Sequence, residues 1–221
     1  ATNRARWNAL VEADIEYARP MLELTPAAAR AFLDPLGVMG DVAGQEVLCL
    51  GAGGGQQSVA FALLGANVTV FDLSDQQLVR DRQAADHYGV KIRTIQGDMR
   101  KLDVFPNASF DLVYQAYSIN FVPSVAPVLA EVARVCRPHA LYRIEWYNPF
   151  VQLVGVEEWD GKGYPLRHEY VDGREVNEVT PTWTIDQADG SKREVVGPRE
   201  FVHALSTMIN TLINHGFVIL R

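Results

Sequence analysis

The chain has 221 residues, 48% hydrophobic and 21% charged, a globular composition with enough material for a full core and no resemblance to a disordered tail. Its 20 basic and 27 acidic side chains leave a net charge of −7, which removes the basic footprint a phosphate backbone requires and makes nucleic acid a poor partner. No run approaches the roughly 20 apolar residues of a membrane span, and no charged-then-apolar leader opens the sequence, so a cytoplasmic protein with no membrane attachment is expected.

The first forty residues read as helical. From Arg4 to Tyr17, the residues Trp7, Leu10, Val11, Asp14 and Tyr17 recur at mixed three- and four-residue steps, and Pro20 and Pro26 break the rest of the segment into shorter pieces. A first strand is expected at Glu46–Leu50, then a glycine turn, then a helix from Gln56 to Leu64 closed by Gly65. A second strand covers Asn67–Phe71. Ser74, with Gln77 three residues on, reads as a capping box for the next helix, which Gly89 stops. Further strands are expected at Lys91–Ile95, Leu112–Ala116 and Leu141–Trp146, with a helix over Ser124–Cys136 before the last of them. Strands alternating with helices imply an α/β fold, a doubly wound and mostly parallel sheet with right-handed crossovers.

From Pro149 the composition changes. Gly155, Gly161, Gly163, Gly173, Gly190 and Gly197 punctuate the stretch to Pro198, and polar alternation over Val179–Ile185 predicts a β-hairpin or two. A helix over Arg199–His215 and a strand over Gly216–Leu220 complete the chain. The reading is of one domain, 1–221, in four parts: a helical segment at 1–40, a core at 41–150, a β-rich insertion at 151–197, and a C-terminal helix and strand at 198–221.

The glycine turn carries the chemistry. Val47-Leu48-Cys49-Leu50 followed by Gly51-Ala52-Gly53-Gly54-Gly55, with Asp72 one βαβ step later, is how a nucleoside cofactor is held. A GxGxxG reading from Gly51 and Gly53 places Gln56 where the third glycine belongs, which argues against NAD. GxGxG does fit, on Gly51, Gly53 and Gly55. Three further motifs come in order: Asp72 ending Val68-Thr69-Val70-Phe71, then Gly97-Asp98-Met99, then Ser109-Phe110-Asp111-Leu112-Val113-Tyr114. On these four elements the segment from Val47 to Phe150 resembles a class I S-adenosylmethionine (SAM) dependent methyltransferase of the small-molecule type.

The resemblance implies a Rossmann-like SAM core, an N-terminal helical lid and an insertion beside the substrate site. By the same resemblance Gly51, Ala52, Gly53, Gly55 and Gln56 would line the methionine and ribose, and Asp72 would accept both ribose hydroxyls. Leu73 would pack on the adenine, Gly97 with Asp98 and Met99 would meet its exocyclic amine and ring face, and the strip from Gln115 and Ala116 to Phe121 would face the methyl group. The family's acid two residues before the first glycine is Cys49 in this chain, so the methionine amino group needs another partner. The family's sheet ends in one more antiparallel strand than the sequence contains; either the hairpin takes its place or the sequence is a piece of a longer chain.

Each residue also has a plainer role. The N-terminal helix could merely cover the sheet edge, Asp72 could serve the next helix dipole, Asp98 could be a turn residue, and Asp111 reads as structural. Cys49 and Cys136 read as small buried hydrophobes, with no neighbours at metal-ligand spacing, so no metal is expected. Tyr117 and Asn120 could orient a substrate or be satisfied by backbone. Of His87, His139, His168, His203 and His215, His168 and His203 are the candidates for a general base, with Tyr117 a third candidate for chemistry. Glu145 pairs most simply with Arg143, with Arg134 the other option, though it could hold a substrate amine. The Asn-Pro-Pro-Tyr type of signature is missing after strand four, which disfavours nucleobase amines; Asn148-Pro149-Phe150 stands after strand five.

The function expected is methyl transfer from SAM, leaving S-adenosylhomocysteine (SAH), to O, N or C of a small aromatic or heterocyclic molecule. Trp7, Tyr17, Trp159, Tyr164, Tyr170 and Trp183 suit such a substrate. The alternatives are a protein or RNA methyltransferase and a non-catalytic SAM-binding or structural module.

Overall fold

The computed structural model describes residues 2–154, 159, 161–176, 182–186 and 190–220. Strands β1 (Glu46–Leu50), β2 (Asn67–Asp72), β3 (Ile92–Gln96), β4 (Phe110–Ala116) and β5 (Cys136–Glu145) form one sheet in the order β3-β2-β1-β4-β5, every neighbouring pair parallel. Alternation along the strands sends Val47, Cys49, Val68, Val70, Leu112 and Tyr114 into one apolar layer and Leu48, Leu50, Phe71 and Val113 into the other. A sheet apolar on both faces must be covered on both. Helices α2 (Pro26–Leu33), α3 (Gln57–Leu63) and α4 (Asp75–Tyr88) cover the first face, and α5 (Ala126–Val135) and α6 (Leu205–Asn214) the second.

The start of α4 differs from the expected capping box. Ser74 Oγ accepts from Gln77 N at 3.1 Å, but the return arm is missing, because the Ser74 N–H donates to Asp72 Oδ1 at 2.8 Å. A carboxylate thus joins the end of β2 to the head of α4. The N-terminal run is shorter than its periodicity suggests: α1 spans Asn3–Glu12, Asp14 turns left-handed at φ 55°, and a 3-10 turn covers Glu16–Ala18.

The expected hairpin is present as β6 (Thr182–Asp186) paired antiparallel with β7 (Lys192–Val196). Of the residues read for it, Val179, Thr180 and Pro181 lie outside the described residues, as does Gly155. The hairpin forms a separate small core with the first helix, where Leu10, Val11 and Ile15 meet Ile185 and Val195 and the Trp7 ring stands edge-on to Trp183 at 6.1 Å.

The C-terminal part departs from expectation in two places. The last helix begins at Leu205, since residues 199–204 run extended and Phe201 bridges to Glu175. Gly216–Leu220 is not a strand: the main sheet ends at β5, Phe217 packs on the Tyr142 ring at 5.6 Å, and Val218, Ile219 and Leu220 are exposed with no ladder partner among the described residues. Strand five also starts earlier than expected, at Cys136, because α5 gives way to it with no intervening loop. Among the described residues no helix is long and apolar enough to cross a membrane.

Candidate cofactor and substrate site

The chain leaves β1 toward β2 and β3, then returns to the other side of β1 as β4. The crevice at the carboxyl ends of β1 and β4 is therefore the place where an open α/β sheet takes its ligand. A cavity of about 1360 Å³ opens there. Of the residues expected at a cofactor, Gly51, Ala52, Gly53, Gln56, Asp72, Leu73, Gly97, Asp98, Met99 and Ala116 all line it.

Gly51 has φ +56°, and a Cβ on it would sit 2.7 Å from Ser118 Cβ and 2.8 Å from Met99 Cε. Only a residue without a side chain lets β1 turn under these two groups. Gly51→Ala is expected to displace Ser118 and Met99 into the cavity and weaken SAH binding by about tenfold or more, which isothermal titration would read.

Asp72 closes the turn from the β2 side. Its Oδ2 accepts from Gly53 N at 3.0 Å and its Oδ1 from Ser74 N at 2.8 Å, so each oxygen keeps a further acceptor position beside the cavity. Burial pushes the Asp72 carboxyl up, and the N–H groups of Ser74, Gly53 and Leu73 pull it partly back. Asp98 is engaged otherwise: Arg100 donates Nε at 2.9 Å to its Oδ1, and the Arg100 N–H closes an Asx turn on the same oxygen at 3.0 Å.

Below the glycine loop lies a residue that sequence reading missed. Asp81 of α4, fully buried, accepts from Gly54 N at 3.1 Å, Gly55 N at 3.1 Å and Ser58 Oγ at 2.5 Å. Burial raises its carboxyl to about 7 against the pull of these donors, with the nearby Asp72 charge adding to the rise. Cys49 is buried at the same level, its thiol raised well above the ordinary range by burial and then by the Asp81 charge. Asp81 thus braces the backbone of the loop from α4 without reaching the cavity, and it does not replace the acid lacking at position 49 as a partner for the methionine amino group. The only sequence signal was an acid at mid-helix, seven residues past the Ser74 cap and on the face that packs under the loop.

Two expected cofactor residues do not line the cavity. Gly55 faces α4 instead, where a Cβ would lie 2.7 Å from Arg80 O, so its bareness serves helix packing. Gln115 is buried behind the wall, donating to Ser118 Oγ at 3.1 Å and Met99 Sδ at 3.3 Å while accepting from Tyr142 Oη at 2.5 Å. Ser118 Oγ in turn donates to Leu50 O at 3.1 Å. This chain of polar groups fixes two residues that do face the cavity.

Neither histidine candidate stands at the cavity. His168 is exposed and away from its lining. His203 is wholly buried, its Nε2–H donating to Ile119 O at 3.0 Å and its Nδ1 without a partner among the described residues, and burial lowers it below the ordinary imidazole range. It acts as a neutral anchor between the 199–204 stretch and the turn after β4. Tyr117 does line the cavity, in a left-handed conformation (φ 55°, ψ −11°) that is uncommon for an aromatic residue, with its ring 5.5 Å from Tyr147. Asn120 is buried, with Oδ1 accepting from Tyr147 N at 3.0 Å and Nδ2 donating to Phe201 O at 3.4 Å, so it ties walls together. Glu145 pairs with Arg143, and Asp111 with Arg137 at 2.6 Å and Glu46 N at 2.9 Å, both structural. Among the described residues no three His, Cys, Asp or Glu side chains gather to hold a metal ion.

The polar groups around the glycine loop suit a nucleoside with a charged tail. Acceptors prevail at the near end: both Asp72 oxygens, and Gln77 Oε1, buried in the cavity wall with no partner among the described residues, 3.1 Å from where a Gly54 Cβ would lie. Ribose hydroxyls and an ammonium are donors to such groups.

Residues 48–144 match the methyltransferase domain family. An uncharacterized methyltransferase of Bacillus subtilis (strain 168), YbaJ, is 33% identical over 180 residues, covering 80% of this chain and 68% of the relative. The chain belongs to the class I SAM-dependent methyltransferases. The fold agrees. A SAM-dependent methyltransferase structure from Mesorhizobium loti superposes with a TM-score of 0.59 at 21% identity, over 91% of this chain and 85% of that one. A putative enzyme of the same kind from Listeria monocytogenes gives 0.61 at 18% identity, over 89% and 83%. The methyltransferase's cofactor is therefore SAM.

Proposed function

We propose that this methyltransferase modifies a small aromatic or heterocyclic molecule at oxygen, nitrogen or carbon, in the cavity that also takes the cofactor. One observation carries the reading: a single cavity runs from Asp72 and the glycine loop to walls of Trp7, Tyr17, Tyr117, Trp146, Tyr147 and Trp183. Aromatic walls favour a planar apolar molecule, and the net charge of −7 argues against a polyanionic substrate.

Gly51, Ala52 and Gly53 would border the methionine and ribose, Asp72 would accept the ribose hydroxyls, Leu73 would lie on the adenine, and Asp98 and Met99 would meet its edge and face. When bound, SAM supplies a methyl group already activated by its sulfonium. The chain's own task is then to hold the acceptor atom in line and exclude water. Ala116 and Tyr117, leaving β4 beside Gly51, stand between the two ends of the cavity and would set that alignment. The first helix, bound to residue 75 through Arg4 at 3.1 Å and to residues 121 and 199 through Asn3 at 3.1 Å each, would act as the lid.

The test is transfer of a labelled methyl group from SAM into three pools: a panel of small phenols, amines and N-heterocycles, total RNA, and a protein extract. Label in the small-molecule fraction is expected. Label confined to RNA or protein would replace this reading with a macromolecular substrate, and no transfer despite SAH binding would favour a non-catalytic role.

A further inference from the structure

We propose that the substrate end of the cavity takes a molecule carrying a basic nitrogen, held as its ammonium between the Glu200 carboxylate and the rings of Tyr17, Tyr117, Tyr147 and Trp183. The inference deepens the small-molecule reading above and rests on it.

The charges lining the cavity are already matched, with one exception. Arg4 meets Asp75 at 3.1 Å, Arg199 meets Glu175 at 2.6 Å, Arg100 meets Asp98 at 2.5 Å, and Asp72 receives two backbone N–H groups. Glu200 also lines the cavity, and among the described residues no donor or cation reaches its carboxylate. Burial alone pushes that carboxyl up, with no opposing charge to pull it back. A carboxylate partly withdrawn from water without a partner is disfavoured, and a ligand that brings the partner relieves it.

The backbone holds Glu200 firmly in this place. Its carbonyl accepts from Val176 N at 2.9 Å, and the next residue, Phe201, donates its N–H to Asn120 O at 2.8 Å. The side chain therefore has a fixed origin between the wall made by residues 117–123 and the 173–176 segment.

Its neighbours suit a cation. Tyr17, Tyr117, Tyr147 and Glu200 all line this one cavity, and the Tyr147 phenol is raised by burial first and then by the charge of Glu200 and by Tyr17 and Tyr117. Tyr17 stands edge-on to Trp183 at 6.3 Å, and Tyr147 is tilted against Tyr117 at 5.5 Å. Ring faces attract a positive charge most when water is excluded, and the carboxylate adds a charge-assisted hydrogen bond to the same group. A neutral hydroxyl would gain only the hydrogen bond. The chain's net negative charge favours approach of such a ligand.

The experiment uses SAH-saturated protein titrated with matched pairs: 2-phenylethylamine against 2-phenylethanol, and tryptamine against tryptophol. In each pair the ring and spacer are constant and only the charged group changes. The wild type is expected to bind at least one amine about tenfold or more tighter than its alcohol, and Glu200→Gln to bring that ratio to within about threefold. Equal binding of amine and alcohol, binding of neither, or a ratio unchanged in Glu200→Gln would overturn the inference. SAH titration of both proteins reads the cofactor end separately and reports whether the variant is folded. Failure there would strike the proposed function, whereas failure of the amine preference alone strikes only this inference.

Discussion

Asp72→Ala is expected to lower SAH affinity by about a hundredfold or more, the largest effect of any single substitution at the cofactor end. Hydrogen bonds to a charged group contribute about 1.5–3 kcal/mol each, and the proposed pair of ribose contacts would account for about 3 kcal/mol or more. The substitution does further damage because both oxygens already serve the fold: Gly53 N and Ser74 N would lose their acceptor together. Asp72→Asn, with one acceptor oxygen instead of two, should fall between. Isothermal titration with SAH decides the matter, and an alanine variant within threefold of wild type would remove Asp72 from the cofactor site.

Asp81→Asn should change how the protein responds to pH. With its carboxyl raised from 3.8 to about 7, Asp81 binds its proton more tightly in the folded chain than in the unfolded one. Its contribution to stability is full below the unfolded value and is lost as pH rises through about 7, an order-of-magnitude effect of about 4 kcal/mol across that window. The variant cannot titrate there. The melting temperature of the wild type minus that of the variant should therefore fall between about pH 4 and pH 7 and level off above that. His203 titrates in the opposite sense, its neutral form being favoured by burial, but it is present in both proteins and cancels in the difference. A difference flat in pH would mean that Asp81 is ionised throughout. Asparagine also offers one acceptor oxygen to three donors, so the loop over residues 54–55 should loosen and SAH affinity should drop by about tenfold at pH 8.

The frame of the fold was legible in the sequence because it depends on local pattern. The near-continuous apolar runs Val47–Leu50 and Val68–Phe71 declare strands buried on both faces, and the glycines and Asp72 mark the crevice beside them. What could not be read depends on which elements meet. The GxGxG spacing treats Gly55 like Gly51, yet one faces Arg80 of α4 and the other faces the cavity wall, a difference decided by the path of the loop. Asp81 looks like a solvated helical acid until α4 folds under the loop. His203 looks like a base until the extended 199–204 stretch carries it into the core against Ile119. The apolar run Phe217–Leu220 has strand composition but no strand beside it, and composition does not supply a partner.

The placement of β1 at the middle of the sheet has a kinetic consequence. During synthesis β1, β2 and β3 are complete once residue 96 has been made, and they can pair through the registers Val47 with Val68 and Val68 with Ile92 while β4 is still absent. Until Phe110–Ala116 arrives, the other edge of β1 offers the unpaired backbone of Val47-Leu48-Cys49-Leu50, an apolar run whose only charge is Glu46 at the strand's start. Released chains truncated between residues 96 and 110 should be the most prone to aggregate, and chaperone dependence should ease once the fourth strand seals that edge.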